Sequence, residues 1–281
     1  SEQARPSQPT HRSVNWNWIS TGKINGMKTL ITGHKGFIGT HLTNFFKYKS
    51  VKYEGLDLKD GEDVCNIEPS DISYIFHLAA SKSVPLSMKQ PEDFIHNNCL
   101  GTVKLMQAFP NARILNISSS SANDIKSVYG ATKLFGEKMG NFHKNWLNVR
   151  LYNVFGEGQP EGAVVPNFIK CRFNSVRPII YGDGEQERDM TYVGDVVQEL
   201  VRLMFETRET GLTHLGYAEP ISISNLCRYI CQDLEPIHEP QRSFDIIYSC
   251  SPQCMKVTYG RTEGLERTIS WYENSLSRKL P

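Results

Sequence analysis

The sequence predicts an α/β fold: a doubly wound parallel sheet followed by a smaller C-terminal lobe. Three observations carry that expectation. Residues 27–58 run strand, glycine turn, helix, strand, acid. From there to Leu151, short apolar runs alternate with helical patterns, the rhythm of a parallel sheet with helices on its faces. Beyond Val154 the rhythm breaks into short elements punctuated by Gly156, Gly158, Pro160 and Gly162.

Met27 to Thr32 is an apolar run that ends at Gly33. Gly33, Gly36 and Gly39 follow at spacings of three, within Gly-His-Lys-Gly-Phe-Ile-Gly. Thr40 to Phe46 then has helical spacing, with Leu42, Phe45 and Phe46 on one face. Val51 to Leu58 reads as the next strand, with Asp57 near its end. This layout is a Rossmann-type dinucleotide-binding unit. A pyrophosphate needs backbone N–H groups and a helix N-terminus aimed at it, and glycine lets the main chain come that close. The turn nominates Gly33, Lys35, Gly36, Phe37, Ile38 and Gly39. Asp57 lies 24 residues after Gly33, where a carboxylate meets the adenosine ribose and repels a 2′-phosphate, so NAD is expected over NADP. Lys35 pulls the other way, because a lysine in the loop is able to hold a phosphate.

Ser73 to Ala80 is a buried-strand pattern ending in small residues. Leu78, Ala79 and Ala80 leave room there for a flat cofactor, and Asp63-Val64 offers adenine one polar and one apolar contact. Pro91 to Phe109 reads as one long helix with Phe94, Ile95, Leu100, Val103, Leu105 and Met106 as its apolar positions. Ile114 to Ile117 is a strand followed by the serine run 118–121. Tyr129 and Lys133 open a helix that runs to about His143, and Leu147 to Leu151 is a further strand. Past the break, helices are expected over 164–174, 195–206, 224–234 (capped by Ser222 or Ser224) and 261–275, with a strand over 178–181. Residues 27–155 then form the NAD-binding domain, its core drawing on parts of 185–215, and 156–281 mainly the substrate lobe. Residues 1–26, polar and containing Pro6 and Pro9, read as a leader or flexible extension with Met27 as the native start. In the alternative, Trp16, Trp18 and Ile19 dock on the body or on a partner.

Composition excludes several classes. A net charge of +1 over 281 residues gives no field for nucleic acid or membrane. No apolar run approaches the ~20 residues of a membrane span. Seven cysteines, an odd count without an export signal, point to reduced thiols and a cytoplasmic setting. Cys227/Cys231 and Cys250/Cys254 have zinc-like spacing, but the first pair sits a helical turn apart beside Leu226 and Ile230, as small hydrophobes do, so no metal is expected.

Tyr129 and Lys133, at i and i+4, share a helix face. A lysine beside the phenol, together with a cationic nicotinamide, lowers its pKa and makes a base available near neutral pH. A serine at the preceding strand end is placed to bond the reacting oxygen.

With these residues in view, the chain from Met27 to about Tyr272 resembles the extended short-chain dehydrogenase/reductase family, the NAD-dependent epimerase/dehydratase group acting on nucleotide sugars. Its marks are the glycine turn, His77-Leu-Ala-Ala80, the serine run, Tyr129-x-x-x-Lys133, Arg150-Leu-Tyr-Asn-Val-Phe-Gly156, and above all the long run from Tyr181 through Arg188 and Asp189 to Asp195. The resemblance implies that Tyr129 is the acid/base and that Lys133 binds the ribose and tunes the tyrosine. It implies that Ser119 or Ser120 holds the substrate hydroxyl. Ser83, Asn153 and Arg188 would contact the sugar nucleotide, the last two gripping its diphosphate, a role suited to the planar fork of arginine; the plainer role for Arg188 is an ion pair with Asp189 or Glu187. A homodimer built on the helices from Pro91 and Tyr129 is also implied.

The chain departs from the family in places. Dehydratases carry an Asp-Glu pair after the catalytic Thr and decarboxylases a Glu; here the run continues Ala122-Asn123-Asp124. The link from the serines to Tyr129 is short, and His214-Leu-Gly216 stands where Asn-x-Gly is usual. The expected activity is therefore NAD-dependent epimerisation of a nucleotide sugar, at C4 through a transient 4-keto sugar. A 4-keto nucleotide-sugar reductase and a non-catalytic NAD(H)-binding regulatory protein are the alternatives.

Overall fold

Along a strand, successive side chains point to opposite faces, and here both faces are buried. The computed structural model describes residues 27–242 and 245–277, so the expected leader, 1–26, lies outside the described residues. Six strands form the main sheet: β1 (Thr29–Thr32), β2 (Glu54–Leu56), β3 (Tyr74–His77), β4 (Arg113–Ser119), β5 (Trp146–Leu151) and β10 (Gly211–Leu215). Their order is β2-β1-β3-β4-β5-β10, and every pairing is parallel.

Alternate residues of these strands sort into two cores. Ile31, Phe76, Leu115 and Leu147 face one, where Leu42 and Phe46 of α1 (Phe37–Tyr48) pack. Leu30, Ile75 and Ile114 face the other, covered by Leu105 and Phe109. Each large apolar side chain fully buried in this way contributes roughly 1.5–3 kcal/mol. On the second side lie α2 (Val84–Lys89), α3 and α4 (Val128–Met139). The α3 element runs Pro91–Phe94, then a π segment Ile95–Leu100, then Gly101–Ala108.

The π segment corrects the expectation of one regular amphipathic helix. Its wider turn shifts the phase of the side chains, so Ile95 and Leu100 are exposed while Phe94 and Leu105 are buried. β2 is also shorter than expected, because Asp57 leaves the strand and caps a 3₁₀ turn, its carboxylate accepting from Lys59 N.

The smaller lobe contains α5 (Val164–Phe173), α7 (Ile223–Cys231) and three small sheets. β6 (Asn153–Phe155) pairs with β9 (Met190–Tyr192). β7 (Ile179–Tyr181) pairs with β12 (Ile237–Glu239). β8 (Glu187–Arg188) lies between β11 (Ile221–Ser222) and β13 (Tyr248–Ser249). Between β9 and β10, α6 (Val193–Phe205) returns the chain to the main sheet and places Val196, Val197, Leu200 and Met204 in the first core. The closing helix is α8 (Gly260–Ser277). Ser222 caps α7, and Cys227 and Cys231 are buried on that helix beside Leu226 and Ile230. Among the described residues, no helix is long and apolar enough to cross a membrane.

The sheet order fixes where a ligand goes. β2 lies on one side of β1 and β3 on the other, so the winding reverses between β1 and β3. Their C-terminal ends leave a crevice at that switch point.

Candidate active site

The glycine turn sits in this crevice. Gly33 has φ +70°, and a Cβ there would come within 2.7 Å of Ala79 N. A Cβ on Gly39 would come within 2.2 Å of Gly33 O. These close approaches require glycine and let α1 begin directly under the crevice. No side chain caps the N-terminus of α1, so the N–H groups of its first turn remain available to an anion. A cavity of about 190 Å³ opens beside the turn, lined by Gly33, Gly36, Asp57, Asp63, Val64 and Leu78 through Ala80. The cradle fits a dinucleotide. Asp57 is buried, and its Oδ2 and Oδ1 accept from Lys35 N and Lys59 N, each at 2.9 Å. The Lys35 ammonium pairs with Asp60, which uses up the charge that weighed against an NAD preference.

Leu78 and Ala80 also line a second, larger cavity of about 570 Å³. Phe37, Ile38, Ser119, Tyr129, Lys133, Asn153 and Arg188 lie on its walls. Most of the sequence-nominated residues thus line two adjoining cavities, one at each side of Leu78; Lys35, Gly39, Ser83 and Ser120 line neither.

At the end of the large cavity nearest the sheet, Ser119 closes β4 beside Tyr129, its Oγ accepting from Ser121 N at 3.2 Å. Ser120 already belongs to the next 3₁₀ turn, and Ser118 turns away, donating to Glu137 Oε1 at 2.5 Å. Of the four serines, Ser119 is the one whose hydroxyl is set beside the Tyr129 phenol. The Lys133 ammonium donates to Ile117 O at 2.9 Å and lies 5.9 Å from the Tyr129 ring centre. Burial lowers the Lys133 pKa to about 8, opposed by Cys99 and Glu137. Burial pushes the Tyr129 phenol up, and what pulls it back is the Ser119 hydrogen bond.

The far end belongs to the smaller lobe. Arg188 donates to Glu187 O at 2.8 Å, and burial lowers its pKa against the pull of Asp245. Asp189 is no ion-pair partner for it; its carboxylate is fully buried, accepting from Tyr217 N, Ala218 N and Ser251 N. Asn153 lines the cavity, its backbone N–H bonded to Asp189 O. Ser83 is not brought to either cavity: it is exposed with φ 117°, and its Oγ caps α2 by accepting from Leu86 N.

Several lining residues escaped the sequence reading. Arg242 lies 3.5 Å over the Tyr181 ring and, with Asp245, closes the far end. Both come from a stretch without periodicity, so nothing in the sequence marks them. Lys82 lines the large cavity and Asn97 the small one. Lys82 is two residues past Ala80, and its position after a strand end was the available signal.

A switch-point glycine turn joined to a Ser–Tyr–Lys set defines the extended short-chain dehydrogenase/reductase class. Within it, the chain belongs to the NAD-dependent epimerase/dehydratase family, whose profile matches residues 29–214, and NAD is the cofactor of that family. It is similar to a putative UDP-glucose 4-epimerase of Methanocaldococcus jannaschii, 25% identical, covering 88% of this chain and 98% of the relative. It is also similar to a UDP-N-acetyl-alpha-D-glucosaminuronate decarboxylase of Bacillus cytotoxicus, 26% identical, over 87% and 97% of the two chains. Among solved structures, the UDP-N-acetylglucosamine 4-epimerase of Methanobrevibacter ruminantium M1, in complex with UDP-N-acetylmuramic acid, superposes with a TM-score of 0.80. It is 26% identical and covers 89% of this chain and 99% of that one.

Proposed function

We propose that the protein is a nucleotide-sugar 4-epimerase that works as a homodimer. One observation carries the reading: where carboxylates stand in the large cavity. Among the described residues lining it, the single carboxylate is Asp245, which sits with Arg188 rather than with Tyr129. Beside Tyr129 there are Ser119 and Lys133, the set for moving one proton at one oxygen. After Ser119 come Ser120 and Ser121, then Ala122, which is buried, Asn123, which accepts from Arg150, and Asp124, which pairs with Lys126 and does not line the cavity. The likeness to proteins described as 4-epimerases supports the same reading.

The chemistry assigned to the chain is short. Tyr129 Oη takes the proton of the sugar hydroxyl while the Ser119 hydroxyl holds the same oxygen. NAD, when bound, supplies a reversible hydride acceptor and a cationic ring that favours the phenolate. Lys133, pinned on Ile117 O, keeps its charge below a pH of about 8 and favours the phenolate too. Arg188, with Arg242 and Asn153, meets the diphosphate at the far end. The cavity leaves room for the keto sugar to present its other face, and Tyr129 then returns the proton.

The test is turnover with UDP-glucose and UDP-N-acetylglucosamine, followed by proton NMR and by absorbance of free NADH. Formation of the C4 epimer without net NADH is expected. The Tyr129→Phe variant should keep NAD binding and lose turnover by ~10² or more, the scale of general acid–base catalysis. Stoichiometric NADH consumption on a 4-keto substrate would replace this reading with a reductase. Near-normal turnover of the phenylalanine variant would remove Tyr129 as the base.

A further inference from the structure

A second cluster of chemically active side chains lies at the rim of the small cavity. Asp63, Cys65 and His96 each offer one ligand atom, and these atoms all lie within 4.8 Å of one another. Cys65 Sγ and His96 Nδ1 are 3.7 Å apart. Zinc bonds of ~2.3 Å to sulfur and ~2.05 Å to nitrogen at a tetrahedral angle put those two atoms roughly 3.6 Å apart, so the spacing suits a zinc ion with little movement.

The elements hold the three residues in place. Asp63 caps the 3₁₀ turn over 64–66, its Oδ1 accepting from Cys65 N at 2.9 Å, which leaves Oδ2 for a cation. His96 sits in the π segment of α3, whose widened turn brings its ring to Cys65. Nδ1 also contacts Asn97 Oδ1 at 3.3 Å, so metal binding requires the tautomer with the proton on Nε2. The thiol hydrogen presently faces His96 O at 3.6 Å. On binding, the zinc–sulfur bond forms and that proton leaves to solvent. Burial and the Asp63 carboxylate push the Cys65 thiol up to about 11, with Lys104 opposing, so the ion itself has to displace the thiol proton. Imidazole, thiolate and carboxylate together form a donor set for zinc rather than magnesium or calcium.

We propose that Asp63, Cys65 and His96 bind one zinc ion, water completing the coordination, and that filling this site loosens the adenosine end of the dinucleotide. The coupling follows from Asp63, which is both a zinc ligand and part of the small cavity's wall. A carboxylate drawn onto a dication is a poorer partner for the adenine, and the penalty is reciprocal.

The experiment uses the full chain and needs no turnover. Zinc is titrated against a chromophoric chelator, and cadmium replaces it to reveal the thiolate charge-transfer band in the ultraviolet. One site per chain is expected, with both signals lost in Cys65→Ser and in His96→Gln but kept in Cys254→Ser. His96 is exposed, so its variant should fold, and retained NAD binding checks this. Zinc-saturated protein should bind NAD at least about fivefold more weakly, with no change in His96→Gln. Absence of the band in wild type, or its persistence in both ligand variants, would overturn the site. Equal NAD affinity with and without zinc would overturn the coupling.

Discussion

Arg188 concentrates the argument at the scale of single residues. Its fork is half-buried at the cavity wall, bonded to main-chain carbonyls and near Asp245, and still faces the cavity where a diphosphate would lie. Charge-assisted hydrogen bonds contribute roughly 1.5–3 kcal/mol. Arg188→Ala should therefore weaken UDP binding about tenfold to a hundredfold in calorimetry, while NAD binding, centred on the glycine turn, should barely move. His77 gives a second prediction. It is buried at the end of β3, and Thr102 Oγ1 donates to Asn98 O, so His77 Nε2 must donate to Thr102 while Nδ1 accepts from Thr32. Burial, helped by Lys133, pushes its pKa down to about 3. The unfolded chain takes up this proton below ~6.5, so the contribution to stability is full above that pH and shrinks as pH falls toward 3. The loss should approach about 1.4 kcal/mol per pH unit in urea titrations, and His77→Asn should flatten that limb. The sequence marked His77 and Asp189 as motif letters but not their work. Whether Asp189 pairs with Arg188 or receives three backbone N–H groups depends on where residues 217, 218 and 251 arrive, and no local pattern encodes that.

Elements were most legible where a period or a glycine spacing acts locally. The turn at Gly33, the helices α1, α4 and α6 and the strands β1 to β5 follow from apolar periodicity with punctuation, whereas the edge strand β10 does not. The π segment did not, because one widened turn leaves the composition of a helix unchanged while rotating half its side chains. Nor did the three small sheets apart from β7, expected over 178–181; their strands of two or three residues are held by partners distant in sequence, as Arg188 is held between Ile221 and Ser249. The glycine turn itself is testable. The methyl group of Gly39→Ala would stand 2.2 Å from Gly33 O, a backbone atom that cannot step aside without opening the turn. Loss of NAD binding with a lowered melting temperature is expected. Gly61→Ala is the control, because φ is +80° there but nothing lies within 4 Å, so it should cost about 1–2 kcal/mol of stability and leave NAD binding intact.

The outer face of the helical layer bears on the whole molecule. Leu86 and Met88 of α2, Ile95 and Leu100 of α3 and Phe135 of α4 are all exposed. On α4 the outward stripe is Ala131, Phe135 and Lys138, opposite a buried face of Gly130, Thr132, Gly136 and Glu137. Scattered apolar residues need no explanation, but five on three neighbouring helices form a patch of the kind that marks an interface. The π segment feeds it, since the same phase shift that buries Asn98 turns Ile95 and Leu100 outward. A second copy of the chain is the occupant consistent with the family resemblance, and a stable dimer would bury roughly 1,200–2,000 Å² in total. Because α4 also carries Tyr129 and Lys133, pairing would brace the catalytic helix from outside. Light scattering on the purified chain should give the mass of two copies at micromolar concentration. The double variant Ile95→Glu, Leu100→Glu should give one copy and still bind NAD, since both positions already face solvent in the single chain. A monomeric wild type would remove the dimer, and a double variant that stays dimeric would place the interface elsewhere.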